Sequence, residues 1–458
     1  MCFITAMKKL FILISLLSPL LLAALEVTIL HTADTHGRLA AATEIKAIFE
    51  RECDTNTIII DCGDTVQGTY ESALDRGPAS IDAMNALNYN VWVLGNHDLD
   101  FGKAAFSSYA ERFDGDILAA NWLIDGTNLP AWTMFEFENI KIAVIGMARD
   151  DQLHRGYYPD FSLETTTERE TLAKTVKQVK DSGADIIVLA RHAGMFERAM
   201  PLRDATGAFP EIDLVLGGHT HQDEPGITFG GVFYAQAGKH AENLGVIKID
   251  IDDSARKIRQ IYGKLVPLPT ANHRHRPIPP YIAELNEDIV IDERKSTMNP
   301  LAAIPAEAMR AVTGADAAIH LSNAKSMRFS RFVDERGLFA LMPFEDQVVT
   351  LKVSNSELRS ILAECLSLYR NKGVSLYVSG LSVTADKDGK IVQITPQKQQ
   401  YKVAMSSFTA VGRNGTLNGL AEISAGRINA VALPSMRDAL RYYLPQATPH
   451  ITEWLRQK

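Results

Sequence analysis

Short apolar runs recur through the first half of the chain, each followed by a polar loop and then by apolar residues at helical spacing. Val27-Thr28-Ile29-Leu30 reads as a strand ending in His31-Thr32-Ala33-Asp34-Thr35-His36-Gly37, and a helical stretch near 42–50 follows. Thr57-Ile58-Ile59-Ile60 is the next strand, ending in Asp61-Cys62-Gly63-Asp64, with a helix expected from Ser80 to Leu87. Val91-Trp92-Val93-Leu94 is a short buried strand that Gly95 breaks. Ile117 to Asn121 and Ile140 to Ile145 are further strands, and Thr167 to Lys180 is a helix. Ile186 to Ala190 delivers Arg191-His192, and Ile212 to Leu216 delivers Gly217-Gly218-His219-Thr220-His221. Val232 to Tyr234 and Val246 to Ile251 close the unit. Buried strands alternating with helices predict a layered α/β domain with polar loops at the strand ends.

The pattern changes at 266–300, where Pro267, Pro269, Pro277, Pro279 and Pro280 alternate with Arg and His, as in a linker running into a short helix. Beyond it, helices at 305–313 and 355–369 and strands at 347–353, 374–378, 381–384 and 401–405 predict a second, smaller α/β unit. A length of 458 residues is too great for one core. The expected division is 1–24 leader, 25–265 first domain, 266–300 linker and 301–458 second domain.

The leader is read from Lys8-Lys9, the apolar run Leu10 to Leu22 and the small pair Ala23-Ala24, the three regions of a secretory signal peptide. The run is too short for an ordinary membrane span, and no cysteine follows it to carry a lipid. The expected location is therefore exported, periplasmic or extracellular, with no stable membrane anchor after cleavage. Met7 is a second candidate start. A net charge of −8 argues against a nucleic-acid partner. Of four cysteines, Cys2, Cys53, Cys62 and Cys365, three survive cleavage, so at least one thiol stays free. Cys62 reads as a small buried hydrophobe.

Chemistry gathers at the strand ends. Leu94-Gly95-Asn96-His97-Asp98-Leu99-Asp100 places an amide, an imidazole and two carboxylates within five residues. Taken together, the loops offer seven potential ligands: Asp34, His36, Asp64, Asn96, His192, His219 and His221. Carboxylate and amide oxygens mixed with imidazole suit two divalent ions, Zn, Mn or Fe, at a phosphate-binding site. In extended chain the i and i+2 side chains share a face, so Asp34 and His36 are expected to point together, as are His219 and His221.

With these motifs in hand, the chain resembles the calcineurin-like metallophosphoesterases, specifically the exported 5′-nucleotidase family. The likeness runs through Asp34-Thr35-His36-Gly37, Ile58 to Asp64, Val93 to Gly102, His192, Gly217 to His221 and Gln236-Ala237-Gly238. It implies a four-layer α/β/β/α sandwich followed by a smaller α/β substrate-binding domain. It also implies that Asp34, His36, Asp64 and His221 hold one metal, and Asp64, Asn96, His192 and His219 the other, with Asp64 as bridge. His97 would face the substrate phosphate, oriented by Asp100, and a metal-bound water would attack. Asp100→Asn is then expected to impair turnover far more than Asp98→Asn.

The second domain resembles the family's C-terminal domain less closely. Leu341 to Phe344 matches a Pro-Phe motif, and Ser379-Gly380, Tyr401 to Phe408 and Gly412 to Gly415 match later ones. By resemblance Phe344 and Phe408 would clamp a nucleobase, with Arg328 and Asn414 at the pocket. The family's Gly-rich loop is edited here to Asn323-Ala324-Lys325-Ser326-Met327-Arg328, Arg413-Asn414 stand where the family has an Asp, and Glu345-Asp346 follow Phe344. The expected activity is hydrolysis of a small-molecule phosphoester, most simply a nucleotide. A 2′,3′-cyclic phosphodiesterase, a UDP-sugar hydrolase, a thiosulfohydrolase and a non-catalytic nucleotide-binding protein are the alternatives.

Overall fold

In a computed structural model of the chain, the residues described are 24–40, 43–149, 162–196, 207–269, 280–284, 289–292, 300–322, 326–344, 346–372, 374–412, 416–430 and 435–456. Nearly all of the expected leader, and the pocket positions Asn323 to Lys325, Glu345 and Asn414, lie outside them.

Two six-stranded sheets form the first domain. One runs Lys257–Pro267, Asn243–Asp252, Ala24–Thr32, Thr57–Asp61, Val91–Val93, Asp116–Leu118. The other runs Asp223–Phe229, Val232–Ala237, Leu214–Gly217, Ile186–Arg191, Ile140–Met147, Trp132–Phe137. The last four strands of the first sheet and the central four of the second are parallel within their sheets, with antiparallel strands at the edges. Ile29, Ile60, Val93, Val144, Val188 and Leu216 are among the apolar side chains filling the space between the sheets. The outer face of the first sheet packs on helices through Phe49, Met84 and Tyr109, and that of the second on Glu168–Asp181 through Leu172, Val176 and Val179. The layers are thus α/β/β/α. Fully burying each such Ile, Leu or Val contributes roughly 1.5–3 kcal/mol, so this core fixes the strand ends as a rigid platform.

Apolar runs located the central strands of both sheets and the edge strand Asp116–Leu118, but not the edges Lys257–Pro267, Asp223–Phe229 and Trp132–Phe137. Lys257–Pro267 interrupts its apolar residues with Lys257, Arg259, Gln260 and Lys264 and sits at a sheet edge, where half-exposed side chains give no apolar run.

The second domain has a five-stranded sheet ordered Ser375–Ser379, Ala317–Ser322, Gln400–Ser406, Val348–Ser354, Asn429–Ala430. The Asn355–Lys372 helix covers one side, and Pro300–Thr313 and Met436–Arg456 the other. That last helix contains Pro445 and Pro449, which hide it from a sequence reading. Ala283–Glu284 pairs with Phe332–Val333, and Ile289–Asp292 with Ser326–Phe329, so the second domain's strand pairing begins at Ala283. Among the described residues no helix is long and apolar enough to cross a membrane. Among the described residues Cys53 and Cys62 are free thiols, and Cys62 is buried.

Candidate metal centre

The platform ends in five residues with left-handed backbone: Asp34 at φ 52°, His36 at 49°, Asp64 at 57°, His219 at 70° and His221 at 58°. Non-glycine residues adopt this region at a cost, and such strain persists where packing over-determines it. Asp34 and His36 do fall in one donor group, as expected, but the extended i, i+2 reading is corrected for the other pair. His219 and His221 do not share a face: His221 groups with Asp34 and His36, and His219 with Asp64 and His192. The turn at each residue rotates its neighbour's side chain away from the strand's alternation.

Within each group of three, the donor atoms lie within 4.8 Å of one another. His36 Nε2 is 3.3 Å from His221 Nε2 and 3.9 Å from Asp64 Oδ2. His221 Nε2 is 3.4 Å from Asp34 Oδ1, and His192 Nε2 is 3.1 Å from Asp64 Oδ2. Asp64 Oδ2 thus faces both groups, while its Oδ1 accepts the His97 main-chain N–H at 2.7 Å.

The chemistry of these donors fits cations. His36 Nδ1 donates to the Gln67 carbonyl at 2.9 Å and His192 Nδ1 to the Cys62 carbonyl at 2.7 Å. A carbonyl can only accept, so in each neutral ring Nε2 carries a lone pair. Those lone pairs converge on carboxylate oxygens, an arrangement of acceptors that needs positive charge between them. Burial opposes ionisation of Asp64, yet the imidazoles of His192, His97 and His36 hold its carboxyl well below the usual range. Burial likewise works against a charged His192, but with no ion bound the Asp64 carboxylate outweighs it and lifts the pKa to about 9, so a bound cation would take the place of that proton on Nε2.

Close approach of two strand ends builds the centre. A Cβ on Gly63 would meet Gly95 N at 2.5 Å and His192 Nδ1 at 2.8 Å, and one on Gly95 would meet Asp64 N at 2.3 Å. Only glycine fits at this crossing. Asp98 fastens the two loops. Its Oδ2 accepts from Gly95 N at 2.7 Å and Asp64 N at 2.9 Å, its Oδ1 from Thr65 N at 2.7 Å and Val66 N at 3.2 Å. Asp61 does similar work, accepting from Thr32 Oγ1, Thr65 Oγ1 and Gly63 N; burial still raises its pKa to about 6. Neither bracing role showed in the sequence, although both aspartates sit inside the motifs that drew notice.

His97 is 23% exposed at its side chain, and Asp100 Oδ2 accepts from its Nδ1 at 2.7 Å. Burial disfavours the imidazolium, but the Asp100 and Asp64 charges prevail and raise its pKa to about 10. Asn96 is buried at the start of the same loop. A further imidazole, His240, lies edge-on to His36 and His221 with centroids 5.7 and 5.9 Å away. No motif announced it.

From the second domain, Phe344 stacks on His97 with centroids 5.2 Å apart and planes 22° apart. Phe408 is half-buried in the short Ser407–Ala410 segment, which Ser407 ties to Gln347 through two hydrogen bonds. Arg328 lies in the strand paired with Ile289–Asp292, and its side chain is outside the described residues.

Comparison with known proteins agrees with this architecture. The calcineurin-like phosphoesterase family matches residues 27–223, and the 5′-nucleotidase C-terminal domain family matches 281–422. A 2′,3′-cyclic-nucleotide 2′-phosphodiesterase/3′-nucleotidase of Haemophilus influenzae is 26% identical over 46% of this chain and 38% of its own. A snake venom 5′-nucleotidase of Gloydius brevicauda is 28% identical over 43% of this chain and 37% of its own. The chain thus spans half or less of these relatives' length. The solved structure of a putative 5′-nucleotidase from Staphylococcus aureus superposes with a TM-score of 0.77 at 19% identity, covering 92% of this chain and 96% of its own. That of a 5′-nucleotidase precursor from Thermus thermophilus gives 0.67 at 18% identity, covering 93% and 97%. The chain belongs to the calcineurin-like phosphoesterases that carry a 5′-nucleotidase C-terminal domain.

Proposed function

We propose that this family member is an exported, dinuclear metal-dependent phosphohydrolase that removes phosphate from a nucleotide or a related metabolite. One observation carries the reading: two groups of three donors meet at a single carboxylate oxygen of Asp64, with the His97–Asp100 pair beside it.

Asp34, His36, Asp64 and His221 would hold one ion, and Asp64, Asn96, His192 and His219 the other. Two bound divalent ions would supply Lewis acidity to the phosphoryl oxygens and activate water for attack. The chain's own residues do the rest. His97, kept protonated by Asp100, offers Nε2 as a proton donor to the leaving oxygen and as positive charge beside the phosphoryl group. The Gln67 and Cys62 carbonyls fix the tautomers of His36 and His192. Phe344 and Phe408 would take a base by stacking, a contact that tolerates any base because each has a π-face. The Lys8-Lys9 and Leu10 to Leu22 pattern supports export.

The experiment is phosphate release by purified protein loaded with Mn or Zn, screened over nucleoside monophosphates, cyclic nucleotides, UDP-sugars and simple phosphoesters. Release from nucleoside monophosphates, lost in Asn96→Ala and His97→Ala, is expected. Unchanged activity in either variant refutes the assigned roles. A cyclic 2′,3′-phosphodiester preference is the second reading, favoured by the name of the Haemophilus relative. Turnover of simple phosphoesters with no nucleotide would refute the base clamp and leave the metal centre standing.

A further inference from the structure

The turn carrying Phe344 is held from both domains. On the first-domain side the Gln67 side-chain amide donates to the Pro343 carbonyl, while the same residue's main-chain carbonyl fixes His36. On the second-domain side Arg437 Nη1 donates to the Met342 carbonyl at 2.9 Å and the Phe344 carbonyl at 3.3 Å. The Arg437 guanidinium also lies 5.3 Å over the Phe339 ring. Nearby, Arg336 pairs with Glu71 at 2.9 Å and covers the Tyr70 ring, joining the two domains at the same edge. The turn is therefore set by its frame and is no free loop.

That frame puts one face of the Phe344 ring flat on His97, yet Phe344 stays 43% exposed. Its inner face covers the imidazole and its outer face is open. A ring used only as a base platform needs no contact with the proton donor.

We propose that Phe344 acts on His97 directly, capping the imidazole with its inner face whatever the leaving group, and that Gln67 and Arg437 are positioning residues for this cap. The outer face is then the one left for a planar leaving group. The inference rests on the phosphohydrolase reading and deepens it. An aromatic face over a cationic ring is attractive, and it keeps water from a group whose charge acts more strongly in a dry site. Gln67 extends the effect: one residue orients a metal-side histidine through its carbonyl and grips the second domain through its amide.

The test uses the full-length, metal-loaded protein with two substrates, a nucleoside monophosphate and the ring-free ester glycerol 3-phosphate. Phe344→Leu is expected to lower kcat on glycerol 3-phosphate roughly three- to tenfold, the size of a partly buried cation–π contact. On the nucleotide it should raise KM as well, and Phe344→Trp should restore kcat on both. Gln67→Leu and Arg437→Gln should shift kcat on glycerol 3-phosphate in the same direction by less. A second readout needs no turnover: carbethoxylation of His97 by diethyl pyrocarbonate, followed by peptide mass spectrometry. It should run at least about threefold faster in Phe344→Leu, since the cap is gone. If kcat on the ring-free ester stays at the wild-type value in Phe344→Leu while only nucleotide KM rises, the ring is a base platform and the cap is refuted. An unchanged His97 labelling rate refutes it too. If the wild type hydrolyses no phosphoester, the functional reading fails, and the labelling rates still decide whether Phe344 covers His97.

Discussion

Around Asp64 the innermost groups the strands deliver are buried and tied to main-chain partners, whereas Phe344 is half-exposed and its frame is borrowed from two domains. The first region places Asp34, Asp64 and His192 at 0–2% exposure. The second leaves Phe344 at 43% and leans on Gln67 and Arg437 at long range. The contrast teaches where precision is needed. Converging lone pairs and carboxylates tolerate no drift, so a rigid double-sheet core and strained turns hold them. A stacking face tolerates rotation and sliding, so a framed turn is enough.

Substitutions sharpen that contrast, beginning with the largest effect. Asp64→Ala removes the oxygen both groups face, and phosphate release should fall by about a thousandfold or more, measured at saturating Mn. A loss of less than tenfold would mean that the two groups do not act together. His97→Ala should cost about a hundredfold in kcat, the usual weight of a positioned acid. Asp98→Asn comes next and acts differently, by stability. The amide cannot accept the four main-chain N–H groups its carboxylate accepts, and leaving even one or two unsatisfied costs about 2–5 kcal/mol. A clear drop in Tm is the expected outcome, and an unchanged Tm would remove Asp98 as the brace.

Asp100→Asn is milder in size but specific in form. Asp100, with Asp64, raises the folded pKa of His97 to about 10, above the unfolded 6.5, so in the folded chain the imidazolium persists until pH approaches 10, and the stability it contributes is full below about pH 6.5 and lost as pH rises through 10. In Asp100→Asn the alkaline fall in rate should move toward neutrality, with kcat reduced about tenfold at neutral pH. A pH–rate profile with the wild-type alkaline limb would take the pair out of catalysis. The smallest effect is on the second domain's surface. Hydrogen bonds from Arg427 and Ser354 hold Glu357 down at about 2, so its contribution is present above pH 4.5 and lost as pH falls toward 2. Arg427→Gln should lower stability only slightly at pH 7, and the difference should fade in acid.

The same contrast explains what the sequence disclosed. Asp34, His36, Asp64, His192, His219 and His221 were visible because buried strands spell apolar runs and the residues that follow them are few. The order of the two metal groups was not readable from local geometry. His219 and His221 look like an i, i+2 pair, and only their left-handed φ values send them to different groups. The bracing by Asp98 left no mark in the sequence, since its partners are main-chain amides that no spacing rule records. The expected ranking of Asp100 over Asp98 therefore changes in kind: one substitution acts on chemistry, the other on the loops. Gln67, His240 and Arg437 carried no signal, because their contacts join residues far apart in the chain.

Counting metal ions tests the shared centre most directly. Wild-type protein and Asp64→Ala would be stripped with chelator, reloaded with Mn, desalted and measured by elemental mass spectrometry per mole of chain. A dinuclear centre bridged by Asp64 predicts about two ions in the wild type and a loss of one or both in the variant. One ion in a fully active wild type, or two retained in Asp64→Ala, would contradict it.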